Sequence, residues 1–366
     1  MGYAMDRRQW MKTSALALAG LMPVPKWETI QKESSDIIML HNNESPFGIS
    51  PKARDAIIDT INLSNRYPHK YYPRLIDKIA QKERVPPDHI ILGAGSTEVM
   101  VTLIHMVNAG EEILAADPTY FDFVDYANNA SCRLNKVPLN DMFEHDLGAM
   151  TKQISPQTSL IYICNPNNPT GSITAKDRLK LFCEHASNQA LVVVDEAYHE
   201  YVDDGAYASM IDLVKRGKNV IVTRTFSKIF GLAGLRIGYG IAPPGTIENL
   251  KILSRNFAPV AWLSLQAAMA SYQDRTFIQA VKEKNKQMRQ YLCRELEGLG
   301  LRCVPSHTNF VLFQVDQDAR KLAKRMEERK ILVRPFGFHD RQWIRVTCGN
   351  RAELQAFLSS LTVFLG

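Results

Sequence analysis

The stretch "ALVVVDEAY", residues 190–198, sets three valines ahead of two carboxylates and a tyrosine. β-Branched side chains favour extended chain, and an apolar run without alternation suits a strand covered on both faces. Such a strand belongs in a mainly parallel sheet flanked by helices. The polar residues that leave it fall at the carboxyl edge, where open α/β sheets bind ligands. If other strands repeat the pattern, their polar residues meet at one edge.

They do repeat it. "HIILGAG" (89–95), "EEILAADPTY" (111–120), "SLIYICNPNNPTG" (159–171) and "NVIVTRTFSK" (219–228) each read as a strand running into a polar turn. Helix-period segments separate them; "TEVMVTLIHMVNAG" (97–110) reads as a helix ending at Gly110. The residues delivered to the edge are Gly93 and Gly95-Ser96-Thr97, Pro118-Thr119-Tyr120, Asn165 to Gly171 with Asn168 among them, Asp195 to Tyr198, and Thr225 with Ser227-Lys228. Arg236 follows in "GLRIGYG". A large α/β domain over residues 61–254 accounts for this pattern.

Beyond it, "SYQDRTFIQAVKEKNKQMRQYLCRELEGLG" (271–300) reads as one amphipathic helix with a glycine stop. "TNFVLFQV", a helix over "DARKLAKRMEERK", "ILVRPF", "WIRVTCG" and a last helix over "RAELQAFLSSL" then describe a smaller α+β domain spanning 255–366. The segment 31–60, with "IIMLHNNESPFG" (37–48), is too isolated to fold alone and is expected to cross back and pack on the small domain near the site. Residues 1–30 stand apart. "DRRQWMKTSALALAGLMPVP" (6–25) resembles a twin-arginine export leader, with Trp10-Met11-Lys12 after Arg7-Arg8 and small residues Ala17 and Ala19. Export to the periplasm and a basic tail on a cytoplasmic protein both fit it.

The composition is ordinary: 45% hydrophobic, 22% charged, formal charge +6 over 366 residues. No Lys/Arg block interleaved with aromatics points to nucleic acid, and the dense run 320–330 mixes both signs, as a solvated helix face does. Six scattered cysteines show neither a disulfide framework nor zinc-ligand spacing. No apolar run is long enough for a membrane helix.

Singly, the edge motifs are weak. The Gly93–Thr97 turn fits a phosphate cradle or an ordinary helix start, and it lacks both Gly-x-Gly-x-x-Gly and the lysine of a P-loop. Asp195 fits a metal ligand, a general acid or an ion-pair partner for a ring nitrogen. Tyr120 fits a buried aromatic, and Lys228 a charge on a helix surface.

Together, "NPNNPTG", "DEAY", "SK" and an arginine eight residues after the lysine resemble the fold-type I pyridoxal-phosphate aminotransferases. "LHNNESPFG", "RYP", "GAGSTE" and "IRVTCG" add a likeness to the histidinol-phosphate aminotransferase branch, from about residue 38 onward. The resemblance implies pyridoxal 5'-phosphate as cofactor and a ping-pong transfer between an amino donor and a 2-oxo acid. It makes Lys228 the lysine that binds the cofactor covalently and Asp195 the partner of its ring nitrogen. Tyr198 and Asn168 correspond to groups on the phenolic oxygen, and Tyr120 to the aromatic on the ring face. Gly95, Ser96, Thr97, Thr225, Ser227 and Arg236 correspond to the phosphate site. Tyr67 matches a tyrosine that reaches the neighbouring subunit's phosphate, which implies a homodimer. Arg345 matches an arginine on the substrate carboxylate; Arg334, near a substrate phosphate, and Asn43 complete the implied substrate set.

Two departures fall on the substrate side. The 23–40 segment lacks the Pro-Tyr element of that branch, and "GAGSTE" replaces its acidic Gly-Ala-Asp-Glu turn. A decarboxylase resembling threonine-phosphate decarboxylase and an aminotransferase for aromatic or other amino acids therefore stand as alternatives. A cofactor-binding scaffold without activity is disfavoured, since Lys228 and Asp195 are both in place.

Overall fold

The computed structural model describes residues 37–254 and 260–365; the twin-arginine-like leader lies outside them. Twelve strands are described: β1 (Ile38–Met39), β2 (Ile90–Gly93), β3 (Glu112–Asp117), β4 (Arg133–Pro138), β5 (Thr158–Cys164), β6 (Leu191–Asp195), β7 (Val220–Thr225), β8 (Gly238–Ile241), β9 (Phe310–Val315), β10 (Ile331–Leu332), β11 (Arg334–Phe338) and β12 (Arg341–Thr347). Seven of them form one sheet in the order β2-β8-β7-β6-β5-β3-β4. All its strands run parallel except β8, which is antiparallel to β2 and β7.

The apolar runs are explained by two separate cores, one on each face of this sheet. Val192, Val194, Val220 and Val222 join one. Leu191, Val193, Ile221 and Tyr162 join the other. Alternation along each strand thus hides apolar side chains on both sides. Register then aligns the carboxyl ends: Cys164 pairs with Asp195, and Asp195 with Thr223. These three side chains emerge on one face, beside Thr225 two residues on.

Strands β11-β12-β9 make an antiparallel sheet. A further core lies between β9, β12 and the helices Arg275–Gly298, Ala319–Glu328 and Arg351–Leu365. Parallel pairing of β1 with β10, and the bond from Thr347 N–H to the Leu40 carbonyl at 2.9 Å, fasten residues 38–40 to this part. The "HNNESPFG" segment is thereby carried to the carboxyl edge of the large sheet.

Three local expectations are corrected. The 271–300 stretch is two helices, Trp262–Tyr272 and Arg275–Gly298, because Asp274 leaves helical geometry and caps the second by accepting from the Phe277 N–H at 3.4 Å. The helix after Gly95 ends at Ile104, well short of Gly110. "ILVRPF" is divided between β10 and β11 at Val333. β4 and β8 had no clear signal: the polar "RLNKVP" lies at a sheet edge, and "GYGI" is a short strand with two glycines.

Candidate active site

A cleft of about 440 Å³ opens at the carboxyl edge, lined by residues from all five sequence-predicted turns and from the 42–44 segment. Ser96, Thr97, Tyr120, Asn168, Asp195, Tyr198, Thr225, Ser227, Lys228 and Arg236 all border it, with Asn43 and Arg345.

Asp195 lies at its floor, 2% exposed. Its two oxygens accept from the Tyr162 hydroxyl at 2.9 Å and the Thr223 hydroxyl at 3.0 Å. Burial pushes the carboxyl up to about 6, against these hydrogen bonds and one from the Ala197 N–H, which favour the ionised form. Tyr162 is fixed in turn by face-to-face stacking on Phe123, centroids 3.7 Å apart.

Lys228 follows β7 and donates to the Asn42 carbonyl at 3.1 Å. Burial lowers its ammonium to about 8; Arg345 and Arg236 help, while Glu44 and Asp195 oppose. Tyr198 receives hydrogen bonds from Asn43 Nδ2 at 3.0 Å and Asn168 Nδ2 at 3.5 Å. Its phenol is pushed up by burial and keeps its proton. Tyr120 donates to Asp122 at 2.6 Å, and burial likewise raises it.

One end of the cleft gathers groups able to hold an anion. Gly95, at φ +82°, opens the helix Ser96–Ile104 with no side chain capping its N–H groups. A Cβ at Gly95 would stand 2.6 Å from Arg236 Nη2, so only glycine lets the guanidinium lie against this turn. Gly238 on β8 packs as closely behind it, where a Cβ would come within 2.3 Å of the Ser96 nitrogen. Ser227 Oγ lies 3.5 Å from Arg236 Nη1 and 3.0 Å from Thr225 Oγ1.

The other end holds a buried cation with neutral partners. Arg345, 2% exposed, donates to Asn168 Oδ1 at 2.6 Å and to the His41 carbonyl. Its Nε is buried with no hydrogen-bond partner, and no carboxylate pairs with it among the described residues. Burial lowers even this guanidinium to about 10. Arg334 is its direct cross-strand neighbour, resting 4.3 Å over the Phe121 ring. Like charges facing each other across strands are unfavourable unless an anion joins them.

Matching residues 35–361 to the family model described as aminotransferase class I and II settles the assignment. The chain belongs to that family. Among curated relatives, the histidinol-phosphate aminotransferase of Moorella thermoacetica is 36% identical over 361 residues, covering 97% of this chain and 92% of that protein. The Halalkalibacterium halodurans enzyme of the same name is 34% identical, covering 96% of each. The histidinol-phosphate aminotransferase of Sinorhizobium meliloti, solved in complex with pyridoxal-5'-phosphate, superposes with TM-score 0.82 at 28% identity, over 89% of this chain and 90% of that one. An aspartate aminotransferase from Thermotoga maritima, at 18% identity and TM-score 0.79 over 100% of this chain and 97% of that one, shares the fold.

Within this aminotransferase, three sequence-predicted site residues do not line the cleft: Gly95 lies behind it against Arg236, Arg334 lies beside Arg345 on the neighbouring strand, and Tyr67 stands apart. Tyr67 is 86% exposed, its ring 5.6 Å from His69. Sequence reasoning missed Tyr162 and Thr223, which lie inside β5 and β7 rather than after them. The available signal was alternation: Thr223 precedes Thr225 by one pleat period, and Tyr162 interrupts an aliphatic run two residues before the Asp195-paired Cys164.

Proposed function

We propose that this aminotransferase uses pyridoxal 5'-phosphate to move an amino group, by a ping-pong route, from an anionic donor of the histidinol-phosphate kind to a 2-oxo acid such as 2-oxoglutarate. The observation that carries the reading is one cleft in which Lys228 stands between a phosphate-type cradle, a buried carboxylate and Arg345, which has neutral partners and Arg334 as its cross-strand neighbour. The donor set fits the cofactor: cations and free N–H groups for its phosphate, a carboxylate for its ring nitrogen, and an amine for its aldehyde. When bound, pyridoxal phosphate supplies that aldehyde and a ring that accepts the electron pair left by a departing Cα proton.

The rest is the work of this chain. Lys228, with its ammonium lowered to about 8, offers an unprotonated amine near neutral pH, able to attach the cofactor and to take and return the Cα proton. Ionised Asp195 keeps a proton on the ring nitrogen. Tyr198 and Asn168 would hydrogen-bond the cofactor's phenolic oxygen, and Tyr120 would pack against its ring. Ser227, Thr225, Arg236 and the Ser96 and Thr97 N–H groups would hold the phosphate. Arg345 grips the α-carboxylate of the 2-oxo acid and its amino-acid product, Arg334 takes the donor's phosphate, and Asn43 orients bound substrate beside Tyr198.

Tyr67, exposed in the single chain, reaches the phosphate held by a neighbouring subunit in a homodimer with shared sites. The sheet of seven strands anchors a cofactor domain over 61–254, with 255–366 as the smaller domain and 31–60 packed on it; the β1–β10 pairing supports this for residues 38–39, whereas Ala53 and the helix Trp262–Tyr272 join a core of the large sheet.

A half-reaction screen tests this. The cofactor-loaded protein is mixed with histidinol phosphate, glutamate, aromatic amino acids and phosphothreonine, while the cofactor spectrum, the carbonyl product and released CO2 are followed. Conversion to the amine form of the cofactor by histidinol phosphate and by glutamate is expected. CO2 release without a carbonyl product overturns transamination, and conversion by aromatic donors alone overturns the donor assignment.

A further inference from the structure

Away from the cleft, the helix Arg275–Gly298 closes on a left-handed turn at Gly300, φ +78°, in which the Leu301 N–H bonds the Leu296 carbonyl at 3.0 Å. The chain then runs back along the helix in extended form, with Cys303 bridged to Phe313 on β9 and the Val304 N–H bonded to the Leu312 carbonyl at 2.8 Å. From the 301–296 tie, three helical residues back to Cys293 cover ~4.5 Å. Two extended residues on to Cys303 cover ~6.5 Å. The two cysteines therefore stand roughly level across a helix–strand hairpin.

Further observations agree. Both side chains pack against the same apolar core and both are partly exposed. Interaction between the two thiols lowers Cys293 and raises Cys303. Cys303 also lines an open cavity of about 290 Å³ and Cys293 is itself partly exposed, so a reagent can reach the pair. Cys164, Cys183 and Cys348 are buried.

We propose that Cys293 and Cys303 are a redox pair, converted to an intramolecular disulfide by a small-molecule disulfide of the oxidised-glutathione class. The Cys293 thiolate attacks one sulfur of the reagent, and glutathione leaves as a thiolate with the bonding pair. Cys303 gives its proton to water and attacks Cys293 Sγ, expelling the second glutathione thiolate. Two protein thiols lose two electrons and one glutathione disulfide becomes two thiols. The new bond staples the 275–298 helix to the strand that enters β9.

The test uses the full chain loaded with cofactor, reduced, freed of reductant and exposed to oxidised glutathione. Remaining thiols are alkylated and the protein is digested with trypsin without reduction. Cleavage after Arg289, Arg294, Arg302 and Arg320 separates the cysteines into peptides 290–294 and 303–320. These two peptides are expected joined, two hydrogens lighter than their sum, from a chain that runs as a monomer on a non-reducing gel. Cys303→Ser is expected to stop at a stable glutathione adduct on Cys293, and Cys293→Ser to leave Cys303 alkylated. Both cysteines recovered alkylated, a wild-type glutathione adduct without the cross-link, or pairing with another cysteine or another chain overturns the proposal. Bound-cofactor absorbance confirms that each variant is folded, since neither residue touches the cleft.

Discussion

Tyr162→Phe removes one hydroxyl beneath the cleft and leaves the ring that stacks on Phe123 with planes 9° apart. That hydroxyl is one of two side-chain donors to Asp195, at 2.9 Å. A hydrogen bond to an ionised group contributes about 1.5–3 kcal/mol. At 1.36 kcal/mol per pKa unit, its loss lifts Asp195 by about 1–2 units. The starting point is about 6, already raised from 3.8 by burial. The sign follows from that elevation. Folded Asp195 binds its proton more tightly than unfolded Asp195, so its contribution to stability is complete below the unfolded pKa and is lost as pH rises through about 6. The protein without cofactor thus carries at neutral pH a carboxylate costing about 3 kcal/mol, and a protonated ring nitrogen offsets that cost. In the proposed role only ionised Asp195 serves that nitrogen, so the acid limit for tight cofactor binding is expected to track its pKa. The assay is the Kd for pyridoxal phosphate, measured by absorbance titration from pH 5 to 9. At pH 6.5 the variant is expected to bind about tenfold more weakly than wild type, with the gap closing toward pH 9. A Kd ratio independent of pH, or an acid limit that stays in place, refutes the reasoning.

Other expectations follow from single contacts. Arg345→Lys replaces a fork by a point charge, and KM for glutamate is expected to rise about tenfold or more with a smaller change in kcat; an unchanged KM removes Arg345 from the substrate site. Gly238→Ala drives a methyl to 2.3 Å from the Ser96 nitrogen and 2.7 Å from the Gly95 carbonyl carbon. It is expected to weaken phosphate-dependent cofactor binding and to cost about 1–3 kcal/mol in denaturant unfolding. Arg224, buried between Glu196 at 2.8 Å and Glu83 at 2.9 Å, ties the back of β6 and β7 to the helix Tyr72–Glu83. Arg224→Leu should cost about 3–5 kcal/mol by leaving both carboxylates without their cation, and thermal melts of this variant and of Arg224→Leu/Glu196→Gln, which should recover part, check it. Mixing Tyr67→Phe and Lys228→Ala chains by co-expression should restore one complete site per heterodimer; activity no higher than the sum of the parents argues against shared sites.

Most of the cleft was legible because strands buried on both faces must be central, and the chain leaving a central parallel strand must emerge at the carboxyl edge. Asn168, Asp195, Tyr198, Thr225, Ser227 and Lys228 all follow apolar runs, so one-dimensional order sufficed to place them together. Asn43 and Arg345 come from distant segments, and only their resemblance to a known pattern brought them to the site; nothing local in "HNNES" or "WIRV" says that Asn43 will donate to Tyr198 or that Arg345 will meet Asn168.

By itself the sequence determined five strands of the large sheet, the cleft edge and the position of the amine proposed for the chemistry. Patterning decides which residues leave a buried strand, and side-chain type decides what they can do. The tertiary structure decided the state of those groups. Asp195 is held near its ionisation point because register sets Tyr162 and Thr223 against it. Arg345 keeps its charge among neutral partners because the β11–β12 pairing gives it Arg334 as neighbour and, among the described residues, no carboxylate. Electrostatic state depends on what lies within a few ångströms through space, and that distance is set only when the strands pair.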